Sequence, residues 1–236
     1  MGIEELRGQV AVVTGASRGI GRAIAVDLAN AGMRVVGTAR PSEALEDLAR
    51  ALDSAESPGF VVPADLTDQA SVEALFAAVD AHAGRIDVLV NNAGIARVEP
   101  FMETSVETWR AIMATNVDAG FLMSQAAARR MLRRGSGHIV FIASDAAVRG
   151  IPRMAPYCTS KHAVLGLARA LALELREPGI RVTTILPGPV NTTILSDEAN
   201  RFDLPQPEDI AATVRYALSL PPRAQVCELL ITPTRV

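Results

Sequence analysis

The 236-residue sequence predicts an α/β protein built on a doubly wound parallel β-sheet of about seven strands, flanked by helices on both faces, as a single domain over residues 1–236. Short runs rich in valine and isoleucine alternate with longer alanine- and leucine-rich segments of helical period, which is typical of repeated βα units. The strand candidates are apolar on both faces, as in a parallel sheet covered by helices on both sides. With 49% hydrophobic residues, a chain of this length can bury a substantial core.

The predicted elements follow one another without an internal repeat or linker. The strand candidates are Val10 to Thr14, Arg34 to Thr38, Gly59 to Val62, Ile86 to Val90, His138 to Ala143, Arg181 to Leu186 and Glu228 to Thr232. The helix candidates lie near residues 19–31, 42–53, 68–82, 105–133, 154–177 and 207–219. Segment 191–207 is polar, proline-flanked and without a sustained period, so we interpret it as a substrate loop or a short mobile helix; such an insertion after a strand often closes over a bound ligand.

Composition excludes several classes of function. A net charge of −3 and an isoelectric point near 5.7 give no general attraction to nucleic acid or to anionic membranes. The sequence shows no leader, no lipidation signal and no apolar run of the roughly 20 residues that would span a bilayer, so we expect a cytoplasmic protein. Neither the two cysteines nor the three histidines have metal-ligand spacing, and no metal site is expected.

The predicted helix from Lys161 to Leu175 is apolar almost all round. Its apolar residues are Ala163, Val164, Leu165, Leu167, Ala168, Ala170, Leu171, Ala172, Leu173 and Leu175. A helix of this kind must be covered on all sides, and the sheet covers only one. We therefore expect a homo-oligomer, either a dimer or a tetramer.

A glycine-rich turn joins the first strand to the first helix in Thr14-Gly15-Ala16-Ser17-Arg18-Gly19-Ile20-Gly21. Glycines at such a junction allow a tight turn and let the backbone approach a pyrophosphate, which then lies at the positive end of the helix. The spacing Gly-x-x-x-Gly-x-Gly differs from the usual Gly-x-Gly-x-x-Gly fingerprint, and a purely structural turn is the alternative. Its position nevertheless favours a Rossmann-like dinucleotide site.

The end of the second strand indicates which dinucleotide binds. An acidic residue about 20 positions after the glycines would bind the ribose 2′-hydroxyl of NAD, but the sequence there is Thr38-Ala39-Arg40. Arg40 and Arg18 could form a fork onto a 2′-phosphate, which favours NADP(H), although either could be an ordinary surface arginine. After the third strand, Asp65 and Leu66 are candidates for the adenine site, with helix capping as the alternative for Asp65.

Lys161 is the only lysine among 23 basic residues, and it follows Tyr157 by four positions. On a helix these two side chains share a face. A phenol keeps its proton up to about pH 10, and a nearby cation stabilises the phenolate and lowers that pKa. The pair is therefore a candidate proton donor, with a surface lysine beside a packed tyrosine as the alternative.

Taken in order, these motifs resemble the short-chain dehydrogenase/reductase family over about residues 6–218. They are Thr14 to Gly21, Asn91-Asn92-Ala93-Gly94, Ser144, Tyr157-x-x-x-Lys161 and Pro187-Gly188. The resemblance implies that Tyr157 is the catalytic acid or base and that Lys161 holds the nicotinamide ribose and lowers the pKa of the tyrosine. It implies that Ser144 binds the substrate oxygen and that Asn116 holds a water beside the lysine; a helix cap and a buried backbone-bonded polar residue are the alternatives.

The same resemblance assigns further cofactor and substrate contacts. The turn after the fourth strand would run alongside the adenine ribose through Asn92, Ala93 and Gly94. The segment after the sixth strand would contact the nicotinamide carboxamide and the phosphate through Pro187, Gly188, Val190 and Thr192. We expect the substrate pocket to be walled by Ile95, Asp145, Arg149, Met154, Pro189 and residues 193–202. Arg149 and Arg153 suggest an anionic substrate, with a position of Arg149 on the solvated rim as the alternative. The chain ends without the aspartate and paired glycines of many members, which puts C-terminal contacts in doubt.

We therefore expect an NADPH-dependent carbonyl reductase, reversibly an alcohol dehydrogenase. Its substrate could be a small ketone, a β-keto ester or acyl thioester, or a hydroxy amino acid. The alternatives are an NAD-linked alcohol or polyol dehydrogenase and a catalytically idle NADP-sensing protein.

Overall fold

The computed structural model describes residues 6–194, 201 and 203–234. Within these residues, seven strands form one sheet: β1 (Val10–Thr14), β2 (Arg34–Thr38), β3 (Phe60–Val61), β4 (Val88–Asn91), β5 (Gly137–Ile142), β6 (Ile180–Pro187) and β7 (Glu228–Ile231). The helices are α1 (Gly19–Asn30), α2 (Glu43–Asp53), α3 (Gln69–Ala83), α4 (Val106–Met113), α5 (Ala119–Arg134), α6 (Ala155–Glu174) and α7 (Pro207–Leu218). The predicted strands are all present, and every predicted helix except 105–133 matches one helix, with boundaries that shift by a few residues.

The strand order is β3-β2-β1-β4-β5-β6-β7, and every neighbouring pair is parallel. The chain winds outward from β1 to β3, then returns to place β4 on the other side of β1. This reversal opens a crevice beyond the carboxyl ends of β1 and β4, the usual ligand position in a doubly wound sheet. The predicted fold class is confirmed.

Buried side chains form one large cluster on each face of the sheet. On one face, Ile24 of α1 and Leu48 of α2 pack with Val214 of α7. On the other, Phe76 of α3 packs with Met123 of α5. This two-sided burial explains why the strands read as continuous apolar runs in the sequence.

The predicted helix 105–133 is not continuous. One π-helical turn, Ala114–Asp118, separates α4 from α5. Single π turns inside α-helices occur frequently at functional sites, and this one contains Asn116. Within the part of the chain described, no helix combines the length and apolarity needed to cross a membrane.

Candidate active site

The site residues lie where the strands end. Thr14 closes β1, Asn91 closes β4, and Pro187 closes β6, while Ser144 follows β5 by two residues. Because the carboxyl ends of parallel strands meet at one edge, residues far apart in sequence become neighbours there. The sheet thus assembles the motifs that the sequence shows separately.

The glycine turn and the Asn92 turn form one bonded unit. The Thr14 hydroxyl accepts hydrogen bonds from the backbone amides of Asn92 (2.9 Å) and Ala93 (3.0 Å), and it donates to the carbonyl of Val90 (3.2 Å). The Asn92 side chain donates to the carbonyl of Thr14 at 2.9 Å. A Cβ on Gly15 would come within 2.9 Å of both Ala93 Cα and Asn92 Nδ2, so only glycine fits there.

The N-terminus of α1 is suited to an anion. Its N-cap residue, Arg18, makes no side-chain capping bond, and its first turn has no acidic residue. By contrast, Ser42 caps α2 and Asp68 caps α3 through their side chains. Uncapped first-turn amides and the helix dipole together favour a phosphate group.

The segment after β6 passes over this turn. Gly19 has a φ of +55°, and a Cβ placed on it would lie 3.6 Å from Cγ2 of Thr192. Ser17 and Ile20 lie partly buried beside it. The predicted phosphate contacts of Gly19 and Thr192 therefore lie together, and the residues present fit the pyrophosphate of a dinucleotide.

The predicted adenosine side is open to solvent. Arg18 and Arg40 are both exposed, and Leu66 is buried. Asp65 accepts hydrogen bonds from the Thr67 amide (3.0 Å) and hydroxyl (2.7 Å), which hold the pKa of its carboxyl below the usual value, with a smaller contribution from Arg40. The helix cap is Asp68, so the capping alternative for Asp65 is wrong.

Tyr157 and Lys161 lie in the N-terminal part of α6 and share a face, as predicted. The Lys161 ammonium lies 5.7 Å from the centre of the Tyr157 ring and donates to the carbonyl of Ile142 at 3.1 Å. Gly94 faces the same point, because a Cβ on it would lie 3.7 Å from Lys161 Nζ and 3.3 Å from Asn116 Oδ1. Gly94, Asn116 and Lys161 are thus brought together.

Asn116 is buried and firmly held. Its amide donates to the carbonyl of Ile95 (3.0 Å) and to the hydroxyl of Ser160 (2.9 Å), and its oxygen accepts from the Ile95 amide (2.8 Å). The two bonds to Ile95 are those expected of a buried polar residue bonded to the backbone, the alternative to a water-holding role. They also fix Asn116 beside Lys161. Ser160 was missed in the sequence, although its position three residues after Tyr157 places it near the same helix face.

A cavity of about 10 Å³ lies behind Lys161, and its polar lining includes Asn91, Asn116 and Lys161. The Asn91 oxygen is buried and has no hydrogen-bond partner among the described residues. A polar space of this size holds about one water molecule. The arrangement suits the water that the family resemblance assigns to Asn116.

Burial dominates the ionisation of the pair. It lowers the pKa of Lys161 to about 8. It also raises the pKa of Tyr157 above its usual value; the Asp145 carboxylate adds to this rise, and a hydrogen bond with Ser144 opposes it. The net pKa of Tyr157 therefore lies above its usual value, because burial outweighs the opposing effects in the described structure. The lowering contribution expected from Lys161 stays a prediction.

Ser144 begins a short 3₁₀ turn, Asp145–Ala147. Its hydroxyl accepts from the Ala146 amide and donates to Asp145 Oδ1, both at 3.1 Å. The capping alternative is thus present in the structure, and it orients the hydroxyl beside Tyr157 rather than away from it.

The residues predicted to line the substrate pocket differ in burial and in pairing. Asp145 is buried and pairs with Arg149, whose Nε donates to Oδ2 at 2.9 Å. Because this pair neutralises Arg149, its charge gives little support to an anionic substrate. Met154 is buried with Ala146 and Cys158, whereas Pro189 is exposed.

The C-terminal strand β7 and Pro233 pack against the segment that follows β6. Gly188 donates its amide to the carbonyl of Ile231 at 2.7 Å, and a Cβ on Gly188 would lie 3.5 Å from both Pro233 and Asp145. Pro187 is buried, and Val190 is partly buried against the α1 and α7 side of the sheet. Residues 195–200 and 202 of the predicted substrate loop lie outside the described residues.

A doubly wound sheet with an uncapped first helix, and with a tyrosine–lysine pair at its strand ends, defines an oxidoreductase that uses a nicotinamide dinucleotide. A family model described as short chain dehydrogenase matches residues 9–202, and the chain belongs to this family. It is 44% identical over 191 residues to the D-threitol dehydrogenase of Mycolicibacterium smegmatis, covering 80% of this chain and 73% of that one.

Solved structures of oxidoreductases are also similar to this chain. An alcohol dehydrogenase from Thermococcus sibiricus, complexed with 5-hydroxy-NADP, superposes with a TM-score of 0.89 at 30% identity, covering 98% of each chain. A metagenomic short-chain oxidoreductase in complex with NADP gives a TM-score of 0.86 at 36% identity, covering 98% of this chain and 99% of that one. The protein is therefore an oxidoreductase of the family that transfers hydride between a nicotinamide cofactor and a carbonyl or alcohol.

Proposed function

We propose that the protein is an NADP(H)-dependent carbonyl reductase, reversibly an alcohol dehydrogenase, in which Tyr157 exchanges the proton with the substrate oxygen. The observation that carries this proposal is the set of Asn116, Ser144, Tyr157 and Lys161 at the strand ends, beside the uncapped N-terminus of α1.

The nicotinamide, when bound, supplies the hydride in reduction and accepts it in oxidation. Tyr157 holds a proton at its phenol oxygen and gives it to the carbonyl oxygen, or takes it back from the alcohol. Its raised pKa keeps this proton in place at neutral pH. Ser144 lies beside the phenol and orients the substrate oxygen.

Lys161 and Asn116 support the tyrosine from behind. Lys161 donates to the Ile142 carbonyl, which fixes its ammonium beside the phenol, and this ammonium is the group that would hold the nicotinamide ribose. With a pKa of about 8, this ammonium can lose or regain a proton close to physiological pH. The cavity beside Asn116 has space for one water molecule, which would accept that proton.

The preference for NADP(H) rests on charge. The end of β2 offers Thr38, Ala39 and Arg40 with no carboxylate to meet a ribose 2′-hydroxyl, and both Arg18 and Arg40 are exposed at the crevice. The NADP in two similar solved structures supports the same choice. Titrations with NADPH and with NADH test it, and tighter binding of NADH would contradict it.

An alcohol or polyol dehydrogenase is the second candidate. The D-threitol dehydrogenase relative favours it, and the proposed proton chemistry is the same in the oxidative direction. Comparing ketones with NADPH against polyols with either oxidised cofactor separates the two. A protein that binds NADPH tightly and turns over no member of a broad panel would instead be a sensor.

Substitution of Tyr157 by phenylalanine tests the mechanism. Tyr157→Phe deletes only the transferable hydroxyl, so we expect a fall in kcat of about 10²- to 10⁴-fold with nearly unchanged NADPH binding. Tyr216→Phe is the matched control, since Tyr216 is the other tyrosine and lies exposed on α7. Wild-type turnover by Tyr157→Phe would exclude the phenol as the acid.

A further inference from the structure

A second pocket lies at the edge of the sheet opposite the candidate active site. It has a volume of about 260 Å³ and opens beside Ile180, the first residue of β6. Pro187, at the other end of the same strand, belongs to the candidate active site. An extended strand of this length spans roughly 23 Å, so the two sites are separate.

The side chains that line this pocket carry positive charge only. Arg176 follows the C-terminus of α6, Arg181 lies in β6, and Arg223 lies between α7 and β7, so three elements each bring one arginine to it. Among the described residues, no aspartate or glutamate lines the pocket. Like charges that share a small pocket repel one another, and an anion placed among them relieves that repulsion.

Nearby carboxylates do not neutralise these arginines. Arg176 and Arg223 make no ion pair within the described part of the chain. Glu177 is exposed and does not line the pocket, and Glu228 pairs with Arg169 instead. The negative end of the α6 dipole favours a cation at Arg176, but it does not account for Arg223 on a different segment.

Hydrogen bonds between β6 and the segment before β7 hold the wall of the pocket in place. Arg181 donates from Nη1 to the carbonyls of Leu220 (2.9 Å) and Ala224 (3.3 Å). The side-chain amide of Gln225 donates to the carbonyl of Val182. Because this wall is already ordered, little conformational entropy is lost when a ligand binds to it.

We propose that this pocket binds a small phosphate-bearing anion, as a second ligand site apart from the dinucleotide site. The planar fork of an arginine matches the oxygens of a phosphate group. Pockets for drug-sized ligands measure roughly 300–1,000 Å³. A volume of about 260 Å³ therefore suits inorganic phosphate, pyrophosphate or a small phosphate monoester rather than a dinucleotide. The proposal does not depend on the proposed function.

Cys227 provides a local readout of the pocket. It lines the pocket and is exposed, whereas Cys158, the other cysteine of the chain, is buried. Alkylation of Cys227 by iodoacetate, which is anionic, can be followed by mass spectrometry of the peptide that contains it, without NADP(H). A bound phosphate covers the thiol and cancels the charge that attracts the reagent.

The probes are inorganic phosphate, pyrophosphate and glycerol phosphate, each at increasing concentration. At twice its Kd, a bound probe should slow the alkylation of Cys227 about threefold. Sodium chloride at the same ionic strength should slow it much less, because screening does not occupy the pocket. Protection by only one of the three probes would support the site and identify the form of phosphate that it takes.

Single substitutions test the assignment of the arginines. Arg176→Gln and Arg223→Gln should each weaken the protection by phosphate, about tenfold where a charge-assisted hydrogen bond is lost. Arg110→Gln is the matched control, because it removes the same charge from an exposed position on α4, outside the pocket. It should leave the protection unchanged.

Equal protection by chloride and phosphate would overturn the proposal, since general screening would then explain both. Full protection in both Arg176→Gln and Arg223→Gln would also overturn it. So would a Cys227 that neutral iodoacetamide fails to reach in the native protein, because the pocket would then be closed to solvent. None of these readouts uses turnover, so their outcome is distinct from that of the Tyr157→Phe test.

Discussion

At the scale of single residues, Lys161 is placed where a lysine is costly. It is 5% exposed in a chain whose other basic side chains are arginines. Arginine remains charged in proteins, whereas a buried lysine loses its proton more readily. A position that needs an ammonium of adjustable charge beside a phenol is therefore one that arginine cannot fill.

Lys161→Met should make the protein more stable at neutral pH while abolishing activity. The folded pKa of about 8 lies below the value of 10.5 for free lysine, so the unfolded chain binds the proton more tightly between these values. The wild-type free energy of unfolding must then rise with pH from about 8 to 10.5. The variant should lack this rise, and its free energy of unfolding at pH 7 should exceed that of the wild type by roughly 1–3 kcal/mol.

Urea unfolding at several pH values measures this effect. Arg169→Met, on the exposed side of the same helix, is the control and should keep the rise between about pH 8 and 10.5, because Arg169 pairs with Glu228, whose carboxyl titrates only at acid pH. A variant of Lys161 that is less stable at neutral pH, or that keeps the alkaline rise, would show that burial is not the cause of the lowered pKa.

At the scale of elements, the turns between strands and helices determine the shape of the site. The α1 turn depends on Gly21, since a Cβ there would collide with the carbonyl of Gly15 and the side-chain amide of Asn92. Gly166 in α6 is different, because a Cβ there would meet nothing within 4 Å. Packing therefore requires glycine at position 21, whereas nothing in the packing requires it at position 166.

The matched pair Gly21→Ala and Gly166→Ala tests this difference. Gly21→Ala should lower the free energy of unfolding by about 1–3 kcal/mol and weaken cofactor binding. Gly166→Ala should raise it by roughly 0.5–1 kcal/mol, because alanine loses less backbone entropy in a helix. Thermal and urea unfolding of both variants provide the measurement, and equal effects would contradict the steric explanation.

At the scale of the whole molecule, α6 leaves apolar side chains exposed on its outer face. Val164, Leu165 and Ala168 pack into the core, but Leu173 is 68% exposed and Ala170 is also exposed. On α5, Phe121 is 47% exposed. Large apolar side chains left exposed on these helices indicate an interaction surface.

We predict a homo-oligomer that this surface helps to form. Light scattering coupled to size exclusion should give a mass at least twice that of the 24.9 kDa chain. Leu173→Asp should shift the distribution toward smaller species because it buries a charge at the interface. Ala81→Asp, on the exposed side of α3, should not; a monomeric wild type would refute the prediction.

The sequence by itself determined the sheet, the order of its elements and the family motifs, because periodicity and strand-end residues are local signals. It also determined that Tyr157 and Lys161 share a face, since four residues on a helix bring them together. It did not reveal the π turn at Asn116, because no proline or glycine lies between Val106 and Asp118 to mark one.

Only the tertiary structure decided how the groups ionise and which groups pair. The sign of the Tyr157 shift depends on burial, and Arg149 loses its apparent role in binding an anion because Asp145 neutralises it. Whether a side chain is desolvated, and which partner its charge meets, depends on elements far apart in the chain. These are properties of the packed molecule, and a linear pattern of residues does not contain them.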